Sequence, residues 1–284
     1  MSRKQHPIDQ AMAPEVIDSS WRRLRRKHTP WSVTVSREAL ENHLLAHILT
    51  CREEVLTGVY RPQPIRQFSM EKPSGGKRIL SAQYLRDKLV QRALLTILEP
   101  GAERLFHADS YAYRPGRNIS MALTKVRERV AIGQSWLVDA DIRAFFDSIP
   151  HKQLFQTLKK FIRDNKTMRI IELWLAVGAH HTSLLRKRRG ISQGAILSPL
   201  FCNLYLHRFD MALAGENIPF VRFADDFLLF ADKQQKAEKA LAFVAMELEK
   251  LGLELHPEKT RIVRSSPSVI FLGERLPKAP EEEM

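Results

Sequence analysis

The sequence predicts an α+β protein centred on a small antiparallel sheet of split βαβ order, with helices on one face. Three observations carry this. Residues 135 to 264 read as strand, helices, strand–turn–strand, helix, strand. The strand-like segments are short and apolar or alternating, whereas the helical ones keep apolar residues three and four apart. Gly, Pro, Ser and Asp punctuate the boundaries where helices start and stop.

The elements follow in chain order. The first 35 residues are basic and mixed, with prolines at 7, 14 and 30, and read as an extension. "REALENHLLAHILTCREEVLTG" (37 to 58) is one helix closed by Gly58. "IRQFSMEKPSGGKRILSA" (65 to 82) is a hairpin turning at Pro73–Gly76. "YLRDKLVQRALLTILEP" is a helix stopped by Pro100. "SWLVDADI" (135 to 142) is a strand, and "QLFQTLKKFIRDN" and "MRIIELWLAVG" are helices. "SPLFCNLYLHRFDMALA" is a helix with Ser198 at its N-cap and Pro199 at its first position. "PFVRF" and "FLLFA" pair as a hairpin. The next helix has Ala237, Leu241, Val244, Leu248 and Leu251 at helical spacing, an Asp232/Gln235 capping box and a closing Gly252. "LELH", "TRIV" and "SVIFLGERL" are extended, and "LPKAPEEEM" is a Pro- and Glu-rich tail whose end, 277–284, is expected to be disordered.

Charge narrows the function. The chain of 284 residues carries a net +13, which points to a polyanionic partner. The densest basic runs are "WRRLRRKH" (21 to 28) and "RKRR" (186 to 189). Each is a solvated face on its own; together with the overall charge they favour nucleic acid over a membrane surface. No apolar run approaches the roughly 20 residues of a membrane span. The N-terminus lacks the apolar core of a secretory signal. With only Cys51 and Cys202, a disulfide framework is not expected, and a reducing cytoplasm is the simplest setting.

The chemistry-bearing residues are acidic. Alternation along "WLVDADI" puts Asp139 and Asp141 on one face. "VRFADDFLLFA" sets Asp225 and Asp226 side by side in an apolar run, where two carboxylates repel unless a cation lies between them. If the two segments are neighbours, three or four carboxylates converge, a donor set suited to Mg²⁺ or Mn²⁺. The bland alternatives are a turn-favouring Asp pair and a salt-bridged or supporting Asp139.

Taken together, the segments resemble a bacterial reverse transcriptase of the group II intron-like branch, closest in flavour to the CRISPR-associated ones. "FADD" resembles the Tyr/Phe-Ala-Asp-Asp box, and "SQGAILSP" (192 to 199) the Gln-Gly-x-x-x-Ser-Pro box. "DADIRAFFD" (139 to 147) resembles the first aspartate box, "FLG" (271 to 273) the primer grip, and "SYAYRPGR" (110 to 117) a segment of that branch. The resemblance implies a right-hand polymerase with fingers at 61–134 and a palm at 135–276, after a basic extension and helix at 1–60. Such an enzyme is an RNA-directed DNA polymerase adding dNTPs to a primer 3′-hydroxyl. It also implies two Mg²⁺ ions, with Mn²⁺ as a substitute, held by Asp141, Asp225 and Asp226. One ion would activate the hydroxyl and the other would stabilise the leaving pyrophosphate.

The remaining roles are implied in the same way. Phe146 would lie beneath the incoming sugar and exclude a 2′-hydroxyl; core packing is its bland role. Lys72 and Arg78 would grip the triphosphate, with Lys77 as a substitute for either. Gln193 would face the nucleotide, Gly194 would let backbone approach closely, and Lys259 would lie near the phosphates. Arg114 and Arg117 would contact the template, or else brace an exposed turn. Phe271, Leu272 and Gly273 would hold the primer. His180 and His181 lack metal-ligand spacing and are loop residues. No thumb is recognisable, and three explanations stand: another subunit supplies one, the chain is a module of a larger assembly, or its processivity is low. RNA template, DNA or RNA primer and a CRISPR integrase are the implied partners, with spacer acquisition from RNA as the preferred setting. The alternatives are a non-catalytic nucleic-acid-binding palm subunit with a maturase or assembly role, intron mobility, and phage defence.

Overall fold

The computed structural model describes residues 6–71, 77–178 and 188–280, without the side chains of 77–79. Lys72, the Gly-rich turn, the side chains of Lys77 and Arg78, His180, His181 and the 281–284 tail therefore lie outside the described residues. In chain order the elements begin with α1 (Pro7–Ala11), α2 (Pro14–Leu24), α3 (Arg37–Asn42), α4 (Leu44–Thr57), β1 (Arg66–Glu71), β2 (Lys77–Ala82) and α5 (Leu85–Glu103). Then come α6 (Ile119–Ala131), β3 (Trp136–Asp141), α7 (Phe145–Ser148), α8 (His151–Phe161), α9 (Asn165–Gly178) and α10 (Ser198–Gly215). The chain continues with β4 (Phe220–Phe223), β5 (Asp226–Ala231), α11 (Gln234–Lys250), β6 (Arg261–Arg264), β7 (Ile270–Phe271) and β8 (Glu274–Arg275). These form two compact units, Met1–Arg104 with His151–Phe201, and Leu105–Pro150 with Cys202–Met284.

The first unit is mainly helical. The segment read as a basic extension carries α1 and α2, each with a proline in its first turn, where the missing N–H costs nothing. Ile8, Ala11, Met12, Ile17 and Leu24 are buried, and both helices pack on α5. Apolar residues on a face hidden among charged ones explain why the stretch folds. The single helix expected over 37 to 58 is broken at His43 (φ −135°, ψ 36°), with Gly58 closing it at φ +80°. Pro100 does not stop α5, which runs three residues further. In the last turn a proline removes only one ladder bond, and its fixed φ is helical. β1 and β2 form the expected antiparallel hairpin, with Met70 opposite Arg78.

The second unit holds a four-stranded antiparallel sheet in the order β4-β5-β3-β6. Its register sets Leu137 opposite Phe230, Asp139 opposite Leu228, and Asp141 opposite Asp226. The face bearing Val138, Phe227 and Leu229 is buried; Phe227 meets Phe209 of α10 edge-to-face at 5.4 Å, and α11 packs on β3, β5 and β6. The other face is not left open as expected. Leu137, Val221, Leu228 and Phe230 share a core with Ala122, Leu123, Val126 and Val130 of α6 and with Val269, Phe271 and Leu276. Leaving such side chains in water would cost about 1.5–3 kcal/mol each, so helix covers this face too. Only its aspartate end is polar. The capping box of α11 does not form: Asp232 instead pairs with Lys236 at 2.8 Å. Ser198 likewise does not cap α10; its Oγ donates to the Ser192 carbonyl at 2.8 Å.

Candidate active site

The acidic end of the sheet is built by strand register. β3 delivers Asp139 and Asp141 to one face, and β5 begins at Asp226, the direct cross-strand neighbour of Asp141. Between β4 and β5 only Ala224 and Asp225 turn the chain, and Ala224 takes φ +64°, which its small side chain tolerates better than a larger one. The Ile142 N–H donates to the Asp225 carbonyl at 3.2 Å, which ties the turn to β3. The His256 N–H donates to the Asp141 carbonyl at 2.8 Å and brings in the segment carrying Lys259. The Lys259 ammonium donates to Asp141 Oδ2.

Charge here is unbalanced. Asp226 is pushed up to about 7, first by burial and then by Asp141, Asp139 and Asp225, with Lys259 opposing. The hydrogen bond to Asp141 raises Lys259 above the ordinary lysine value, against a smaller effect of burial. Asp139 pairs with Arg261 at 2.9 Å, as Asp141 pairs with Lys259; burial raises Asp139 nonetheless. Among the described residues no three His, Cys, Asp or Glu side chains form a finished metal cage. The donor set still passes a chemical test. Hard carboxylate oxygens crowded together, with burial and the neighbouring carboxylates holding Asp226 up at about 7, suit Mg²⁺ or Mn²⁺.

The other expected residues fall in three groups. Phe146 lies on α7, half-buried, while its neighbour Phe145 is buried and fills the core position; their rings meet edge-to-face at 5.7 Å. Gln193 and Gly194 belong to the first unit, where the Gln193 carbonyl accepts from the Ser81 N–H at 2.9 Å. Gly194 has φ +102°, and a Cβ there would sit 2.8 Å from the Ser81 carbonyl oxygen, so the close approach is to β2. Gln91 Oε1 accepts from the amides of Ile196 (3.1 Å) and Leu197 (3.4 Å) and fixes the rest of that loop.

The loop arginines and the 271–273 segment are held by their own surroundings. Arg114 is 7% exposed; its guanidinium donates to the His107 and Ser110 carbonyls at 2.6 Å each and lies over Phe106. It braces its own loop. Arg117 is less buried, donating to the Ala108 carbonyl at 2.8 Å over the Tyr111 ring. Phe271 is a core side chain, while Leu272 (φ +52°) and Gly273 (φ +85°) make the two-residue turn between β7 and β8. The sequence reading missed Arg222 and Asp210, both fully buried. The available signal was an arginine inside the apolar strand "PFVRF", which demands a buried anion.

A family model described as reverse transcriptase (RNA-dependent DNA polymerase) matches residues 70–276. The chain belongs to that family. Protein YkfC of Escherichia coli (strain K12) is similar, 30% identical over 88% of this chain and 76% of its own length. The group II intron-encoded protein LtrA of Lactococcus lactis subsp. cremoris is 36% identical over 54% of this chain, but only 26% of that longer protein is spanned. A solved structure titled a partial Cas6-RT-Cas1–Cas2 complex is similar in fold, with a TM-score of 0.51 at 24% identity, covering 87% of this chain and 43% of the other. Reverse transcriptases generally use divalent metals, which agrees with the donor set above. No helix among the described residues is long and apolar enough to cross a membrane.

Proposed function

We propose that this chain is a divalent-metal-dependent RNA-directed DNA polymerase whose catalytic carboxylates are Asp141, Asp225 and Asp226. The observation that carries this is the register: Asp141 and Asp226 are direct cross-strand neighbours, and Asp225 is bonded through its carbonyl to the end of β3. These carboxylates would hold Mg²⁺ or Mn²⁺, which when bound supplies Lewis-acid activation of the primer hydroxyl and neutralises phosphate charge. The protein's part is positioning and charge. Lys259 meets the phosphates of a bound dNTP; its contact with Asp141 supports this reading. Phe146 forms the floor beneath the sugar. Gln193, Lys72 and Arg78 contact the nucleotide, Arg117 the template, and Leu272 and Gly273 the primer. Residues 61–134 act as fingers and 135–276 as palm.

For biological setting we favour DNA synthesis on an RNA template during spacer acquisition, with an integrase as partner. The likeness in fold to a Cas6-RT-Cas1–Cas2 complex supports it; the similarity to LtrA keeps intron mobility as the rival.

The test is primer extension on an RNA template with Mg²⁺, dNTPs and rNTPs in parallel. DNA product that Asp226→Asn reduces by about a hundredfold or more is expected. Template binding with no synthesis by the unmodified chain would instead favour a non-catalytic subunit. Phe146→Ala should admit ribonucleotides; unchanged sugar selectivity would remove the gate role from that ring.

A further inference from the structure

Arg222 is an interior residue of β4 and, like Asp210 on α10, is 0% exposed. Its Nε and Nη2 donate to the two Asp210 carboxylate oxygens at 2.7 and 2.6 Å, a bidentate fork. The remaining donors are used as well. Nη2 reaches Ser110 Oγ at 2.7 Å, and Nη1 reaches Asn203 Oδ1 at 3.2 Å and the Ala224 carbonyl at 2.9 Å. Asn203 in turn donates to the Ala112 carbonyl at 2.8 Å. One side chain thus joins α10, the 110–112 loop and the turn that carries Asp225.

A buried ion pair is a poor device for stability alone, because apolar residues of similar volume do as well or better. What they could not do is hold the Ala224 carbonyl. That carbonyl belongs to the peptide unit leading into Asp225, and it leaves a residue at φ +64°. The carbonyl of Asp225 itself is held by the Ile142 N–H. Asp225 is therefore fixed through the peptide on each side, by Arg222 before it and by β3 after it.

We infer that Arg222, clamped by Asp210, is a positioning residue that fixes the Ala224–Asp225 turn for nucleotidyl transfer. This rests on the proposed role of Asp225. A lysine would keep the charge but not the planar fork that spans Asp210 and the Ala224 carbonyl together.

The test uses the full chain with Arg222→Lys and the milder Ser110→Ala. Single-nucleotide incorporation is measured against dNTP concentration, and hydrogen exchange at the Ile142 amide reports on the turn without any catalysis. In Arg222→Lys with an unchanged circular dichroism spectrum, kcat should fall roughly a hundredfold while KM stays within about twofold. The Ile142 amide should exchange faster. A folded Arg222→Lys with wild-type kcat, or a loss confined to KM, overturns the inference. If Arg222→Lys does not fold, Ser110→Ala decides: faster Ile142 exchange and a smaller fall in kcat support it, and neither change overturns it. Asp225→Asn separates the two levels. If that variant synthesises DNA normally, the proposed catalytic site is wrong. If it is inactive while Arg222→Lys is fully active, only the positioning role is lost.

Discussion

Two groups of charges in the second unit lie a few residues apart in sequence and obey opposite rules. Around Arg222 and Asp210 both partners are fully buried, and the carboxylate meets a matched fork. Around Asp141 and Asp226 the carboxylates are only partly covered, outnumber the cations near them, and leave Asp226 half-protonated near neutral pH. The first arrangement is complete without any ligand. In the second the carboxylates outnumber the cations beside them. The two groups of carboxylates differ in charge balance as well as in depth.

The sharpest way to break the contrast is to unbalance the complete pair. Arg222→Met strands Asp210 in the interior and should cost about 3–5 kcal/mol of stability, read from urea unfolding. Adding Asp210→Leu should recover most of that, because it removes the uncompensated charge.

An intermediate case is Asp87 in the first unit, buried like Asp210 but bonded by neutral donors: the Tyr60 hydroxyl at 2.5 Å and the Gln63 amide at 2.9 Å. Burial, partly offset by these bonds and by Arg86, pushes it up to about 6 from 3.8. The folded carboxyl thus holds its proton more tightly than the unfolded one, so stability should fall as pH rises from about 4 to about 6. The loss is about 3 kcal/mol at most, taking roughly 1.4 kcal/mol per unit of pKa. Urea midpoints across that window should show the slope in the parent chain and a flatter line in Asp87→Asn.

At the small end lies the pair joining Asp139 and Arg261, with half of the arginine in water. Arg261→Ala should change stability by no more than about 1 kcal/mol. A larger loss in thermal unfolding would mean that Arg261 balances the acidic end, not Asp139 alone.

Periodicity found most elements because it is local: apolar spacing marked α11, and alternation put Asp139 and Asp141 on one face. It made a convergence with Asp225 and Asp226 an expectation once the two segments were taken as neighbours, without choosing between Asp139 and Asp141. What it missed depends on distant partners. Nothing in "PFVRF" names Asp210 or Ser110, the partners that absorb the charge of Arg222. The helices of the first 35 residues were hidden by their basic faces, although Ile8, Met12 and Ile17 were there to be counted. Pro100 misled because a helix breaker loses its force in the final turn.

Gly194 has a consequence of its own. With its backbone at φ +102° and no room beside the Ser81 oxygen, even a methyl group would have to prise the loop away from β2. A library randomised at this codon and selected for DNA synthesis should return one letter, and survivors with any other should carry a second change near Ser81 that reopens the space.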